Sequence, residues 1–272
     1  MAVNTSLTPE QIAAYRENGF VVIEDFLTPD ELETWRRAVD DAVARRDDRK
    51  LADGSARSGD SYYDNVFIQR INLWQDHEGV RNLMFDRRLG AMAAALAGVE
   101  GIRIWHDQAL IKQPWGNPTG WHLDNPYWSF YARDAISIWV ALDDATLENG
   151  CLYFLPGTHK QATYDNVDIG PNLGDLFKVY PAWATMRAVA APMRAGSCSF
   201  HNGLVAHAAG ANMTPGYRRA MTCAYMPDGS AFNGQKNILP EALVARLNVG
   251  DVLDDDSLWP LIYHRSKPGV SA

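Results

Sequence analysis

Four residues of this chain have the types and the spacing to do chemistry together. His122 and Asp124 stand two apart in Trp121-His-Leu-Asp124, and His207 precedes Arg218 by eleven positions. On a β-strand, side chains two residues apart leave the same face, so His122 and Asp124 can address one ion. A third ligand from a distant segment would complete two imidazoles and one carboxylate on one side of a metal. That facial set leaves coordination positions open and is the pattern of non-haem Fe(II) oxygenases. Arg218 brings a second capability. A guanidinium presents a planar fork of donors that grips a carboxylate in bidentate fashion, which a dicarboxylate co-substrate needs at its far end.

A His-x-Asp pair is common on ordinary surfaces, so its surroundings decide how it is read. This one lies among Trp115, Trp121, Tyr127, Trp128 and Phe130, beside the turn Gly116-Asn-Pro-Thr-Gly120. Polar groups in an apolar surround need a reason to lose water, and a metal supplies one. For the third ligand His201 competes with His207, and His106 and His159 compete more weakly. The alternative for each is a buried, hydrogen-bonded imidazole. The spacing to Arg218, at the start of the next expected strand, favours His207. Arg219 should point to the opposite face of that strand, towards solvent. Arg70 reads equally as an inward anion ligand or as an edge-strand ion pair.

These residues need a scaffold, and the chain is large enough to build one. Its 272 residues are 47% hydrophobic and 11% aromatic, enough for a substantial core in one large barrel or sandwich. A net charge of −8, with no basic cluster, argues against nucleic acid as a partner; Arg45-Arg46 and Arg49-Lys50 read as a solvated helix end. Three scattered cysteines offer neither a disulfide framework nor a zinc motif. The N-terminus lacks the pattern of a secretory signal, and no apolar run reaches the length of a membrane span. The expectation is a soluble, cytoplasmic protein acting on a small molecule, with monomer or homodimer left open.

Thr8-Pro-Glu-Gln11 and Thr28-Pro-Asp-Glu31 each carry the signals of a helix start: an N-capping threonine, a proline at the first helical position, and an acid or amide to close the box. Gly19 ends the first helix, and Phe20-Val-Val-Ile23 follows as a short strand. A loop is expected over 47–61, a strand over 66–71, and one helix over 79–98. From Ile102 the character changes to short strands separated by turn signals: 102–112, 120–124, 135–142, 151–155, 187–192, 197–201, 204–208 and 218–225. The glycine-rich turn between 197–201 and 204–208 reads as a hairpin. Helices first and strands later, without β-α-β alternation, imply a mostly antiparallel double sheet with flanking helices. The whole of 1–272 reads as one domain: helical to about 100, strands over about 101–228, and a C-terminal extension over 229–272.

Four stretches, in this order, give the chain a specific resemblance. They are Leu7-Thr-Pro-Glu-Gln-Ile running on through Asn18-Gly-Phe-Val-Val-Ile-Glu-Asp-Phe-Leu-Thr-Pro-Asp-Glu-Leu32; Trp121-His-Leu-Asp124; Asn149-Gly-Cys-Leu-Tyr-Phe-Leu-Pro-Gly-Thr-His-Lys160; and His207 with Arg218. Together they resemble the phytanoyl-CoA dioxygenase (PhyH-like) family of Fe(II)/2-oxoglutarate oxygenases. The resemblance implies a double-stranded β-helix, a cupin-like jelly roll, mostly β with helices packed outside. It implies Fe(II), 2-oxoglutarate and O2 as cofactor and co-substrates, with succinate and CO2 released. His122, Asp124 and His207 match the family's iron ligands, and Arg218 matches the arginine that holds the distal carboxylate. Trp139 falls at an aromatic position beside the co-substrate, Arg70 near a basic contact, and Gln108 near a polar one.

Ala209 departs from the pattern, since relatives often place there a serine that hydrogen-bonds the co-substrate. Asp124 is kept, which disfavours the halogenating variation. The expected reaction is oxidation of an unactivated C–H in a small, hydrophobic or natural-product-like molecule. Trp115, Tyr127, Trp128, Phe130 and the insert 161–186 (Tyr164, Phe177, Tyr180, Trp183) are candidate pocket walls, with 157–186 a candidate lid. The competing classes are a metal-binding jelly roll with non-oxygenase chemistry and a binding module without iron.

Overall fold

The computed structural model describes residues 6–59 and 62–267. Residues 60 and 61 of the expected loop lie outside the described residues, as does the N-terminal stretch 1–5. The chain opens with α1 (Pro9–Asn18), β1 (Phe20–Ile23) and α2 (Pro29–Arg46). Both helices start on the expected capping boxes: Thr8 with Gln11, and Thr28 with Glu31. After β2 (Ile68–Ile71), the single helix expected over 79–98 is instead two, α3 (Glu78–Met84) and α4 (Arg87–Ala97). Asp86 breaks it, because its carboxylate accepts from the Arg88 amide and so starts a new helix.

The strands follow: β3 (Gly101–Lys112), β4 (Thr119–His122), β5 (Ile136–Ala141) and β6 (Leu152–Phe154). Then come a short α5 (Leu176–Val179), β7 (Val189–Ala191), β8 (Cys198–Asn202), β9 (His207–Ala209) and β10 (Arg218–Pro227). A helical turn, α6 (Glu241–Val244), and β11 (Leu261–His264) complete the order. The fold is a jelly roll of two antiparallel sheets. The major sheet runs β1-β8-β5-β10-β3-β11, with β2 also pairing β3; the minor sheet runs β4-β9-β6-β7.

Alternation along the major-sheet strands sorts the core. Ile102, Ile104, Ile136, Ile138, Val140, Phe200 and Met221 face outward, under Trp35, Val39, Leu89, Met92 and Leu96 of the helices. The inward face carries polar residues in rows given by the strand register. Lys112 pairs with Arg218; Gln108 with Thr222 and then Trp139 and Ser199; His106 with Ala224 and then Ser137 and His201. At about 3.3 Å per residue, the rows run about 20 Å along β3 from the Lys112 end to the His106 end.

Three expectations are corrected here. The stretches 197–201 and 204–208 do not form a hairpin: β8 belongs to the major sheet and β9 to the minor one, so 203–206 is a corner between sheets. Gly203 permits that corner, because a Cβ there would sit 3.0 Å from Asn125 Cβ. Arg46 is not a solvated helix end. It is 1% exposed, forks onto Asp76 at 2.6 and 2.9 Å, and donates to the carbonyls of Ile71 and Asn72. The described part of the expected C-terminal extension, 229–267, is integrated in the fold: β11 pairs with the start of β3, and Leu239, Leu253 and Trp259 share a core cluster with Trp105; 268–272 lie outside the described residues.

Candidate active site

The two sheets enclose a cavity. Gln108, Trp139, Arg218 and Thr222 line it from the major sheet; His122, Leu152, His207 and Ala209 line it from the minor sheet, with Asp124, Tyr63 and Phe67 closing it. His122 ends β4 and pairs directly with His207 at the start of β9. Asp124 has already left the strand and turns into helical backbone (φ −79°, ψ −52°). The expected strand over 120–124 thus ends two residues early, yet the inward-outward-inward order survives: Leu123 is fully buried against the insert on the outer side. The Asp124 and Asn125 amides donate to Gly203 O at 3.0 and 2.8 Å, which ties the carboxylate's turn to the corner before His207.

One ligand atom from each of His122, Asp124 and His207 lies within 4.8 Å of the others. His122 Nδ1 is 2.8 Å from Gly120 O and His207 Nδ1 is 3.1 Å from Val205 O. A carbonyl can only accept, so both rings carry their proton on Nδ1 and turn the Nε2 lone pair inward, as metal-binding histidines do. Burial, then the neighbouring His122, pushes His207 down to about 3, which keeps it in the neutral form that binds metal.

Arg218 is fully buried at the other end of the cavity. Its Nη1 reaches Leu110 O at 3.5 Å, while Nε and Nη2 have no partner. Its guanidinium lies 5.1 Å from the Trp139 ring and 5.5 Å from the Phe67 ring. Burial lowers it only to about 10, so it stays charged at neutral pH. A buried cation with unused parallel donors is a receptor for a carboxylate. These groups therefore fit a divalent metal together with a dicarboxylate. Arg219, as expected, faces outward, paired with Asp143 and Asp40.

The other sequence candidates separate. Gln108 and Trp139 line the cavity, but Arg70 does not: its guanidinium donates to Ser58 Oγ and to the Gln69 and Asp47 carbonyls. Parity explains this, because Arg70 pairs with outward Ala109. Its neighbour Gln69 turns inward and donates to Gln108 Oε1 at 2.6 Å. His159 is a turn residue against Arg16 O. Trp115 is 66% exposed, away from the cavity. The insert 161–186 packs behind β4, where Trp183 and Leu176 bury against Leu123 and Leu155, and Asn166 bonds both Leu123 N (3.3 Å) and Leu123 O (2.7 Å). That segment braces the ligand strand rather than covering the site. The sequence reading missed Tyr63, Phe67, Thr222 and Lys112. Strand parity alone could have found Thr222 and Lys112, since both share the inward parity of Gln108 and Arg218.

The phytanoyl-CoA dioxygenase (PhyH) family model matches residues 15–220. The chain belongs to this family. A mouse phytanoyl-CoA dioxygenase domain-containing protein 1 is 26% identical over 81% of this chain and 90% of its own length. A methylphosphonate hydroxylase from Gimesia maris is 27% identical, covering 82% of each. Among solved structures, the non-haem α-ketoglutarate-dependent carbocyclase SnoK from nogalamycin biosynthesis superposes with a TM-score of 0.80 at 27% identity, over 96% of this chain and 98% of its own. This PhyH member is accordingly a non-haem iron dioxygenase that uses Fe(II) and 2-oxoglutarate. No helix among the described residues is long and apolar enough to cross a membrane.

Proposed function

We propose that this dioxygenase oxidises an unactivated C–H bond of a small, largely apolar molecule, with His122, Asp124 and His207 holding Fe(II). Fe(II) held there would supply O2 activation, with 2-oxoglutarate as the co-substrate that is converted to succinate and CO2. Arg218 holds the distal carboxylate of 2-oxoglutarate, with the Trp139 ring fixing the guanidinium and Gln108 beside it. Gln69 fixes the Gln108 amide in turn. Ala209 offers no hydroxyl, so Arg218 carries most of the grip.

The observation behind this reading is polarity along the inward face of β3. The row of Arg218 and Lys112 carries the Arg218 charge and is closed by Phe67. In the row of His106, Ser137 and His201, level with Asp124, the lining turns aromatic: His106 sits 6.2 Å from Trp128, and Trp105 packs on Phe130 and Trp259. A separate cleft of about 170 Å³ lies against Trp105, lined by Leu239, Leu258 and Trp259 together with Asp53, Asn72 and Gln75. A dicarboxylate suits the first end and an apolar body suits the second. The similarity to a carbocyclase of nogalamycin biosynthesis supports the same class.

The test is anaerobic. Fe(II) and then 2-oxoglutarate are added to metal-free protein while the visible charge-transfer band is followed. The expected result is a band that His207→Ala abolishes. Metal-loaded protein that gives no band with 2-oxoglutarate refutes the assignment.

A further inference from the structure

Three imidazoles surround Asp124, but they do not share one oxygen. His122 Nε2 and His207 Nε2 lie 3.6 and 3.7 Å from Oδ1, whereas His201 Nε2 lies 3.4 Å from Oδ2. Ser137 Oγ, the cross-strand neighbour of His201, stands 3.5 Å from the same Oδ2. His201 comes from the major sheet, opposite the minor-sheet strands that present the other two rings. It is 3% exposed and boxed by Phe154 and His207, with ring centroids at 5.6 and 4.8 Å.

The proton position follows from the surroundings of each ring. His122 and His207 spend Nδ1–H on backbone carbonyls and free Nε2. His201 Nδ1 is buried without a partner, so nothing favours a proton there. A proton on Nε2 faces a carboxylate oxygen at 3.4 Å, a favourable contact that is longer than a full charge-assisted bond. A ring that donates to Oδ2 is unavailable as a ligand, which separates His201 from His207 on chemistry although both lie close to Asp124.

We propose that His201 is a positioning residue that bonds Asp124 Oδ2 and so presents the carboxylate to a metal through Oδ1 alone. The proposal rests on the reading of His122, Asp124 and His207 as the metal site. A carboxylate with both oxygens free can chelate through both and take a position that the co-substrate and dioxygen must share. Outer hydrogen bonds that orient a ligand typically matter 10–100-fold in metal affinity.

The experiment titrates metal-free, full-length protein with Co(II), followed by visible absorption, with folding checked by circular dichroism. His201→Gln keeps an N–H donor near Oδ2, whereas His201→Asn is too short to reach and His201→Phe has no donor. The expected result is Co(II) affinity about 10–100-fold weaker for His201→Phe and His201→Asn, and within about threefold of wild type for His201→Gln. The Gln and Asn pair decides the matter should the Phe variant not fold. Wild-type affinity in both donor-less variants overturns the proposal. Loss in His201→Gln as complete as in His122→Ala also overturns it, because His201 would then be a ligand itself. Wild-type protein that binds no Co(II) removes the metal site, and with it the proposed function.

Discussion

The two sheets meet at one cavity but hold their functional groups by different means. Arg218 opens a ten-residue strand paired on both sides, with β3 and with β5. Arg218 itself is fixed on one side, by a β3 ladder that runs unbroken to Ala224 before a bulge, and its side chain by flanking aromatic rings. His122 and His207 sit on strands of four and three residues whose pairing is interrupted by a register shift. Ladders that short do not hold a ligand set by themselves, and the work passes to irregular contacts: Gly203 O on the Asp124 amide, Gly120 O and Val205 O on the rings, and Asn166 on Leu123. The cation is thus positioned by secondary structure, and the metal ligands by stitching between loops.

If that division is right, the two ends fail independently. Arg218→Ala removes the carboxylate receptor and leaves the minor sheet alone. Charge-assisted hydrogen bonds are worth about 1.5–3 kcal/mol each. Losing two should raise the 2-oxoglutarate concentration for half-saturation by roughly 100- to 20,000-fold, as read from the charge-transfer band. Co(II) affinity should stay within about twofold. Arg218→Lys keeps a charge without the fork and should fall between. A parallel loss of metal affinity would show that the two ends are coupled.

The same division governs what could be read from the sequence. The long strands β3, β5 and β10 were legible as alternating runs, and the capping boxes at Thr8 and Thr28 as local chemistry. His122 and Asp124 were legible as a pair, although Asp124 reaches its place by leaving the strand. What failed depended on partners distant in sequence. Arg70 was misplaced by one residue of parity, which only its pairing with Ala109 fixes. The hairpin over 197–208 was a local reading of Gly203, whose role is to let two sheets exchange a strand against Asn125. Arg46 looked solvated because Asp76, Ile71 and Asn72 lie 25 to 30 residues away.

A smaller effect is expected from the stitching. Asn166→Ala removes both bonds to Leu123, between the two ligands on that segment. Each net hydrogen bond is worth about 0.5–1.5 kcal/mol, so losing both should lower Co(II) affinity by roughly 5- to 150-fold. The 2-oxoglutarate affinity of metal-loaded protein should change less than about twofold. Calorimetry of both steps checks this, and unchanged metal binding would remove the insert 161–186 from any part in holding the site.

The smallest effect separates two cations within the major sheet. Lys112 is the cross-strand partner of Arg218 and equally buried, with Nζ donating to Asn117 O at 2.7 Å and 4.5 Å above the Phe67 ring. Burial, then the charge of Arg218, pushes Lys112 from 10.5 down to about 6, whereas Arg218 falls only to about 10. Between pH 6 and 10.5 the unfolded chain holds a proton at Lys112 that the folded chain lacks, so this residue makes stability rise with pH across that window. The slope it adds is at most about 1.4 kcal/mol per pH unit. Urea unfolding of wild type and Lys112→Met at pH 6.5, 7.5 and 8.5 should show the difference between them shrinking as pH rises, with the variant gaining most at the lowest pH. A constant difference would mean that Lys112 stays charged when folded, and that two cations rather than one face the carboxylate. A single charge at that end matches the single charge of the distal carboxylate, and the guanidinium keeps it where burial strips it from the amine.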